Sequence, residues 1–258
     1  MTNRLVLALL VFALALGACV PPSPLPEGDR PIQPDRVQQM LAAPVREVKT
    51  LQATGTMKAI ESDGVGKVAD AMISMAAGTG LRIDLVTPFF TPLATIVMKA
   101  DRAVVMDYQK RMMTIGPYTV LLDETYLHTA FLPEHLAQIV AGGVILANKQ
   151  TWQAVAAQGE NEEGTLMFAS SSYRVGFDKR TKRPALLQSL SAPNAMRVVW
   201  SRIKPADDVL VAHEVVIEQV GRGTALRLHM DEVTVNQSIE PAIFSPTLPN
   251  GWSERVIR

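Results

Sequence analysis

Only one cysteine occurs among the 258 residues, Cys19. An internal disulfide is therefore impossible, and the fold must rest on packing alone. Aromatic residues make up 5% of the chain, too few for platforms on which nucleic-acid bases stack. Charge of one sign is not in excess either, since Lys and Arg number 25 and Asp and Glu number 25. With no net field to draw a polyanion, nucleic acid is not expected as a partner. Motif chemistry is also sparse. The four histidines, His128, His135, His213 and His229, fall in no metal-binding spacing. Ser170-Ser171-Ser172 lacks the flanking glycines of a nucleophile elbow. Gly64-Val65-Gly66 stands outside any Gly-x-Gly-x-x-Gly context. Asp207-Asp208 and Glu160 to Glu163 read as solvated loop charges. With no set of positioned acid, base and nucleophile, the expectation is a chain with no catalytic centre, metal or cofactor.

What is present begins at the N-terminus. Arg4 is followed by an uncharged apolar run, Leu5 to Leu16, and then by Gly17, Ala18 and Cys19. A basic start, a short apolar run and small residues describe a secretory signal. The run is shorter than the ~20 residues of a membrane-spanning helix. Leu16-Gly17-Ala18-Cys19 resembles the lipobox of bacterial lipoproteins. That resemblance implies cleavage before Cys19 and diacylation of its sulfur, which gives stable anchoring where a single acyl chain would not. Val20 stands where an aspartate would mark inner-membrane retention, so the outer membrane, on its periplasmic face, is the expected location. Residues 1–18 are then a signal peptide. Residues 19–34, with Pro21, Pro22, Pro24, Pro26, Pro31 and Pro34, form an extended tether. Residues 35–258 are one large domain.

Within that domain Asp35 is placed to cap a helix, and Val37, Met40, Leu41, Val45 and Val48 follow helical spacing. Pro44 should kink or split that helix. From Thr50 the period becomes two. Strands are expected from residue 51, over 66–75, 81–86, 93–98, 103–108 and 112–115, separated by short turns, as in an antiparallel meander. Leu81-Arg82-Ile83-Asp84-Leu85-Val86 is the clearest alternation in the chain. Phe89 and Phe90 follow it between Pro88 and Pro92, in a loop where at least one aromatic should face solvent. The middle is helical. Residues 120–131 lead to a helix opened by Pro133, with Leu136, Ile139 and Val140 as its apolar face and Gly142-Gly143 as its stop. Strands resume after Trp152, over 165–170, 172–177, 186–190, 197–203, 209–219 and 224–235. Trp200 and Trp252 read as core or rim residues. No tandem repeat appears. An antiparallel sheet of that many strands must curl or close. Helices over its concave face would leave an apolar cavity suited to a lipid-like ligand. The 12 methionines suit either gap filling or an adaptable apolar surface.

This layout resembles the LolA/LolB superfamily of lipoprotein-localisation proteins. The stretch from Leu81 to Pro88 is similar to a family strand ending in polar-Pro-apolar. The stretch Phe131-Leu132-Pro133-Glu134-His135-Leu136-Ala137-Gln138-Ile139 is similar to the family's lid helix, running to Gly142. The resemblance implies a mainly β fold: a single strongly curved antiparallel sheet, a half-open barrel, covered by a helical lid. It also implies that Leu132, Leu136, Ile139 and Val140 line the lid face of a ligand cavity. Phe89 and Phe90 occupy the place of the apolar loop residue by which LolB delivers lipoproteins into the membrane. Two departures stand out: Ile139 and Val140 lie near the position where LolB commonly has a lid tryptophan, and Pro-Phe-Phe replaces Pro-Leu-Gly.

The implied function is an anchored periplasmic lipoprotein. It would bind the acyl chains of lipoproteins or other lipids, take them from a soluble LolA-like carrier and insert them into the outer membrane. A structural or assembly lipoprotein that docks an envelope protein is the alternative. An enzyme acting on envelope lipid or glycan has little support in the motifs.

Overall fold

In the computed structural model the described residues are 32–60, 62–118, 120–121, 133–157, 164–190, 195–221 and 223–258. Residues 1–31, and with them Cys19 and most of the tether, lie outside them, as does the expected helical stretch 122–131.

A 3-10 turn at Pro34–Arg36 leads into helix α1, Val37–Glu47. Six strands follow: β1 (Thr50–Ile60), β2 (Gly66–Ala76), β3 (Gly80–Val86), β4 (Pro92–Lys99), β5 (Arg102–Asp107) and β6 (Met112–Pro117). Helix α2, Pro133–Val140, separates them from β7 (Gln153–Val155), β8 (Thr165–Ala169), β9 (Tyr173–Asp178) and β10 (Pro184–Ser189). Then come β11 (Met196–Ala206), β12 (Val209–Gln219), β13 (Thr224–Val235) and, at the C-terminus, β14 (Ser253–Val256).

All fourteen strands belong to one open sheet, in the order β14-β6-β5-β4-β3-β2-β1-β13-β12-β11-β10-β9-β8-β7. The order is two meanders joined back to back. The seam is the antiparallel pair β1–β13, running from Leu51 opposite Val235 to Ile60 opposite Ala225. Its register shifts between Thr54 and Gly55, a bulge that bends the sheet at its middle. Gly55 is required there, because a Cβ would lie 1.9 Å from the His229 carbonyl oxygen.

Four expectations need correction. The sheet is mixed, because β14 pairs with β6 in parallel. β7 and β14 are also strands beyond those expected; every residue in both is exposed, so neither shows a core-facing alternation. Pro44 does not split α1, which continues to Glu47. Pro44 sits in the last turn, where few downstream hydrogen bonds remain to be lost. Asp35 lies within the 3-10 turn, and α1 has no side-chain N-cap.

The inner face of the sheet carries the core. On β3 Leu81 and Ile83 are buried inward, while Arg82 and Asp84 face outward and pair with each other at 2.7 Å. That bond holds the Arg82 guanidinium above its ordinary pKa, against the opposing effect of burial. Thr95 on β4 donates to the same carboxylate at 2.5 Å. Arg82 also donates to the Ile243 carbonyl at 3.0 Å. It thereby fastens the C-terminal segment, whose Phe244 is buried, to the outer face. Trp252 packs edge-on against Tyr108, with ring centroids 5.0 Å apart.

Helix α2 shows that the sheet curls. It touches β2, β3 and β4 on one side and β12 on the other. Trp200 on β11 donates its indole N–H to the Ile139 carbonyl at 2.8 Å. From β4 to β11 is six strand spacings, about 29 Å in a flat sheet. A helix of eight residues is only about 12 Å long, so both flanks must rise around it. Residues Ile32–Arg258 pack as one compact unit with a continuous core of their own, the two features expected of a domain that folds alone.

Candidate functional site

The turn after α2 sets the position of both helices. The Gly143 amide donates to the Gln138 carbonyl at 3.1 Å and the Gly142 amide to the Ile139 carbonyl at 3.0 Å. This is a Schellman stop, with Gly142 at φ 93°. The chain then passes against α1, where the Val144 amide donates to the Leu41 carbonyl at 3.1 Å. A Cβ on Gly143 would lie 2.4 Å from that same carbonyl oxygen, so the close approach needs glycine. Gln38 of α1 clamps the following segment. Its side-chain amide donates to the Leu146 and Asn148 carbonyls and accepts from the Gln150 amide.

Between these helices and the β2–β3 turn lies a cavity of about 420 Å³. Val45 on α1, Ala137 on α2 and Ile145 are its accessible apolar side chains, and Val48, Met75, Leu81, Met98 and Ala141, all buried in the core, close its floor. Arg46, Lys49, Thr79 and Gln138 supply its polar groups. The volume lies toward the lower end of the ~300–1,000 Å³ of small-molecule sites.

Of the expected cavity residues, Leu136, Ile139 and Val140 are buried in the main core and none of them lines this cavity. They sit on the core side of α2, while Ala137 and Gln138 face the cavity. Leu132 and Cys19 lie outside the described residues. Sequence reasoning missed Arg46, Lys49 and Gln138. The available signal was a basic pair straddling the end of an amphipathic helix.

Phe89 and Phe90 stand at the other end of β3, about 20 Å from the cavity by the rise of its seven residues. Both rings project into solvent, at 90% and 79% exposure. The turn that presents them is built on Thr87. Its amide donates to the Thr91 carbonyl at 2.9 Å, and its carbonyl accepts from the Phe90 amide at 2.9 Å. Its Oγ1 accepts from the Thr91 amide at 3.1 Å. Phe90 takes φ 57°, which breaks the strand alternation and lets both aromatics point outward. Val65 and Val68, at the tip of the neighbouring β1–β2 hairpin, are exposed beside this end of the sheet.

Among the described residues no helix is long and apolar enough to cross a membrane, and no cluster of three metal-ligating side chains occurs. By sequence, no family model and no curated protein matches this chain. Solved structures do match by shape. A domain from Vibrio parahaemolyticus described as an outer membrane lipoprotein-sorting protein superposes with a TM-score of 0.55 at 12% identity, covering 83% of this chain and 97% of that one. A DUF1329 family protein from Desulfovibrio piger gives 0.54 at 11%, covering 83% and 98%. A LolA superfamily protein from Nitrosomonas europaea gives 0.52 at 8%, covering 81% and 97%. At these identities the likeness is one of architecture: the chain has the fold of the LolA/LolB-like superfamily.

Proposed function

We propose that this chain is a periplasmic lipoprotein, anchored to the outer membrane through lipid on Cys19, that binds acyl chains of lipoproteins or other lipids. The observation that carries the reading is the apolar cavity between the two helices and the sheet. Here α1 and α2 act as a lid. The Schellman turn and the Leu41 contact join them. An acyl chain placed against Val45, Ala137 and Ile145 leaves water at ~0.8 kcal/mol per methylene, enough to drive loading. The cavity is open to solvent, so release does not require unfolding. Phe89 and Phe90 would dip into the lipid interface and bring the domain to the membrane during delivery. A soluble LolA-like carrier is the expected donor. No chemical step belongs to this role. The lipoprotein-sorting description of the Vibrio parahaemolyticus domain is in keeping with it.

The test is native mass spectrometry of residues 32–258 with a monoacylated lipopeptide. A one-to-one complex is expected, weakened at least tenfold by Ile145→Glu. That side chain lines the cavity and is 43% exposed, so a charge there spares the core. No complex under conditions where an established carrier binds would sink the reading. The alternative, a scaffold that docks an envelope protein, has one observation in its favour: β7 and β14 leave both sheet edges exposed, open to an added strand.

A further inference from the structure

The cavity reading leaves the nature of the ligand's head group open, and the cavity's polar side addresses it. Arg46 and Lys49 both line the opening, and both are exposed. Among the described residues neither side chain has an ion-pair partner. The nearest acid in sequence, Glu47, is engaged by Arg183 at 2.5 Å. Among the described residues no acidic side chain lines the cavity. Gln138 adds a third donor. Its Oε1 is held by the Ile145 amide at 2.8 Å, which fixes the orientation of the side-chain amide and leaves its N–H₂ to donate. The Thr79 hydroxyl, also in the lining, is a fourth. The carbonyl of Glu47, which lies between the two in sequence, accepts from the Asn236 side-chain amide at 3.0 Å.

Two free cations and two neutral donors at the mouth of an apolar cavity match one kind of ligand. We infer that the cavity takes a single-chain amphiphile with an anionic head, a carboxylate or phosphate, held by Arg46, Lys49 and Gln138 with its chain against Val45, Ala137 and Ile145. The volume supports one chain. At about 420 Å³ the cavity is near the small end of ligand sites, and two or three chains would require the helices to part. Guanidinium and carboxamide groups suit the planar, multi-acceptor geometry of carboxylate and phosphate. The inference rests on the reading that the cavity holds an acyl chain, and it adds the sign of the head group.

The experiment compares three probes of one chain length on residues 32–258: myristate, the lysophosphatidate with a myristoyl chain, and glycerol monomyristate. Binding is read by displacement of an environment-sensitive fluorophore. The anionic probes are expected to bind about tenfold more tightly than the neutral one, a difference of ~1.4 kcal/mol, and the gap should narrow as salt is raised. The double variant Arg46→Gln with Lys49→Gln should close the gap by weakening the anionic probes about tenfold, with the melting temperature unchanged. Myristate and lysophosphatidate binding alike would identify charge as the recognised feature. A clear preference between them would assign the head as carboxylate or phosphate. Equal affinity for all three probes would overturn the anionic head while leaving the acyl cavity standing. Binding of none would overturn both.

Discussion

Trp200→Phe isolates the bond that joins α2 to the far flank of the sheet. Trp200 is buried and donates to the Ile139 carbonyl at 2.8 Å. That carbonyl also accepts from the Gly142 amide, so it keeps one partner when the indole is lost. Loss of the hydrogen bond then costs about 1 kcal/mol. The missing ring atoms leave a void in a tightly packed interior, worth about 1–2 kcal/mol more. The total of roughly 2–3 kcal/mol corresponds to a melting temperature lower by about 4–12 °C for a domain of this size. Calorimetry of residues 32–258 measures it. Hydrogen exchange adds the decisive readout, because the bond is specific to α2: amides at residues 138–143 should lose more protection than those of β11 or β12. If exchange at α2 stays at the wild-type rate while the whole domain melts lower, Trp200 is ordinary core and the claim that it ties the helix to the far flank fails.

Three other outcomes can be checked. Gly143→Ala places a Cβ against the Leu41 carbonyl oxygen and should lower stability by about 1–3 kcal/mol, seen as an earlier denaturation midpoint with an unchanged slope; no change would mean that the two helices separate freely there. Phe89→Glu with Phe90→Glu removes only exposed rings, so melting should hold within about 1 °C while co-sedimentation with lipid vesicles falls, and undiminished sedimentation would remove the loop from the delivery scheme. Burial raises the Asp107 pKa, but hydrogen bonds and charge from Lys110 outweigh it and leave the carboxyl below its ordinary value. Its stabilisation is therefore full above the unfolded pKa and lost as pH falls through the folded one. Asp107→Asn should lower the melting temperature at neutral pH and have no effect in strong acid, and a deficit that persists in acid would refute the charge-based account.

Most of the strands were legible because each needs only a local signal. The alternation Leu81-Arg82-Ile83-Asp84 places two side chains in the core and two in an outward ion pair, and a period of two is all that requires. β7 and β14 escaped because they are short and exposed along their whole length; an edge strand without a buried face carries no period. The parallel pairing of β14 with β6 depends on a C-terminal segment crossing the outer face under the hold of Arg82, which no local pattern encodes. The same division holds at the site. Phe89 and Phe90 stood out between two prolines, yet the exposure of both follows from the Thr87 turn and the backbone of Phe90. The cavity was not legible, since Val45, Met75, Met98 and Ala141 come together only through tertiary packing. Leu136, Ile139 and Val140 were correctly read as the apolar face of their helix, but that face meets the core and the opposite side meets the cavity.

The β1–β13 seam has a consequence for how the protein is made. Leu51 pairs with Val235, so the middle of the sheet joins two ends of the chain, and such distant pairings form slowly. A polypeptide made N-terminus first presents β1 long before β13. Until β13 arrives, β1 is a bare edge with Leu51, Ala53 and Met57 on its apolar side, open to any passing strand. The strand that shields β1 is thus among the last to be made, and the interval between them is when the chain is most open to wrong association.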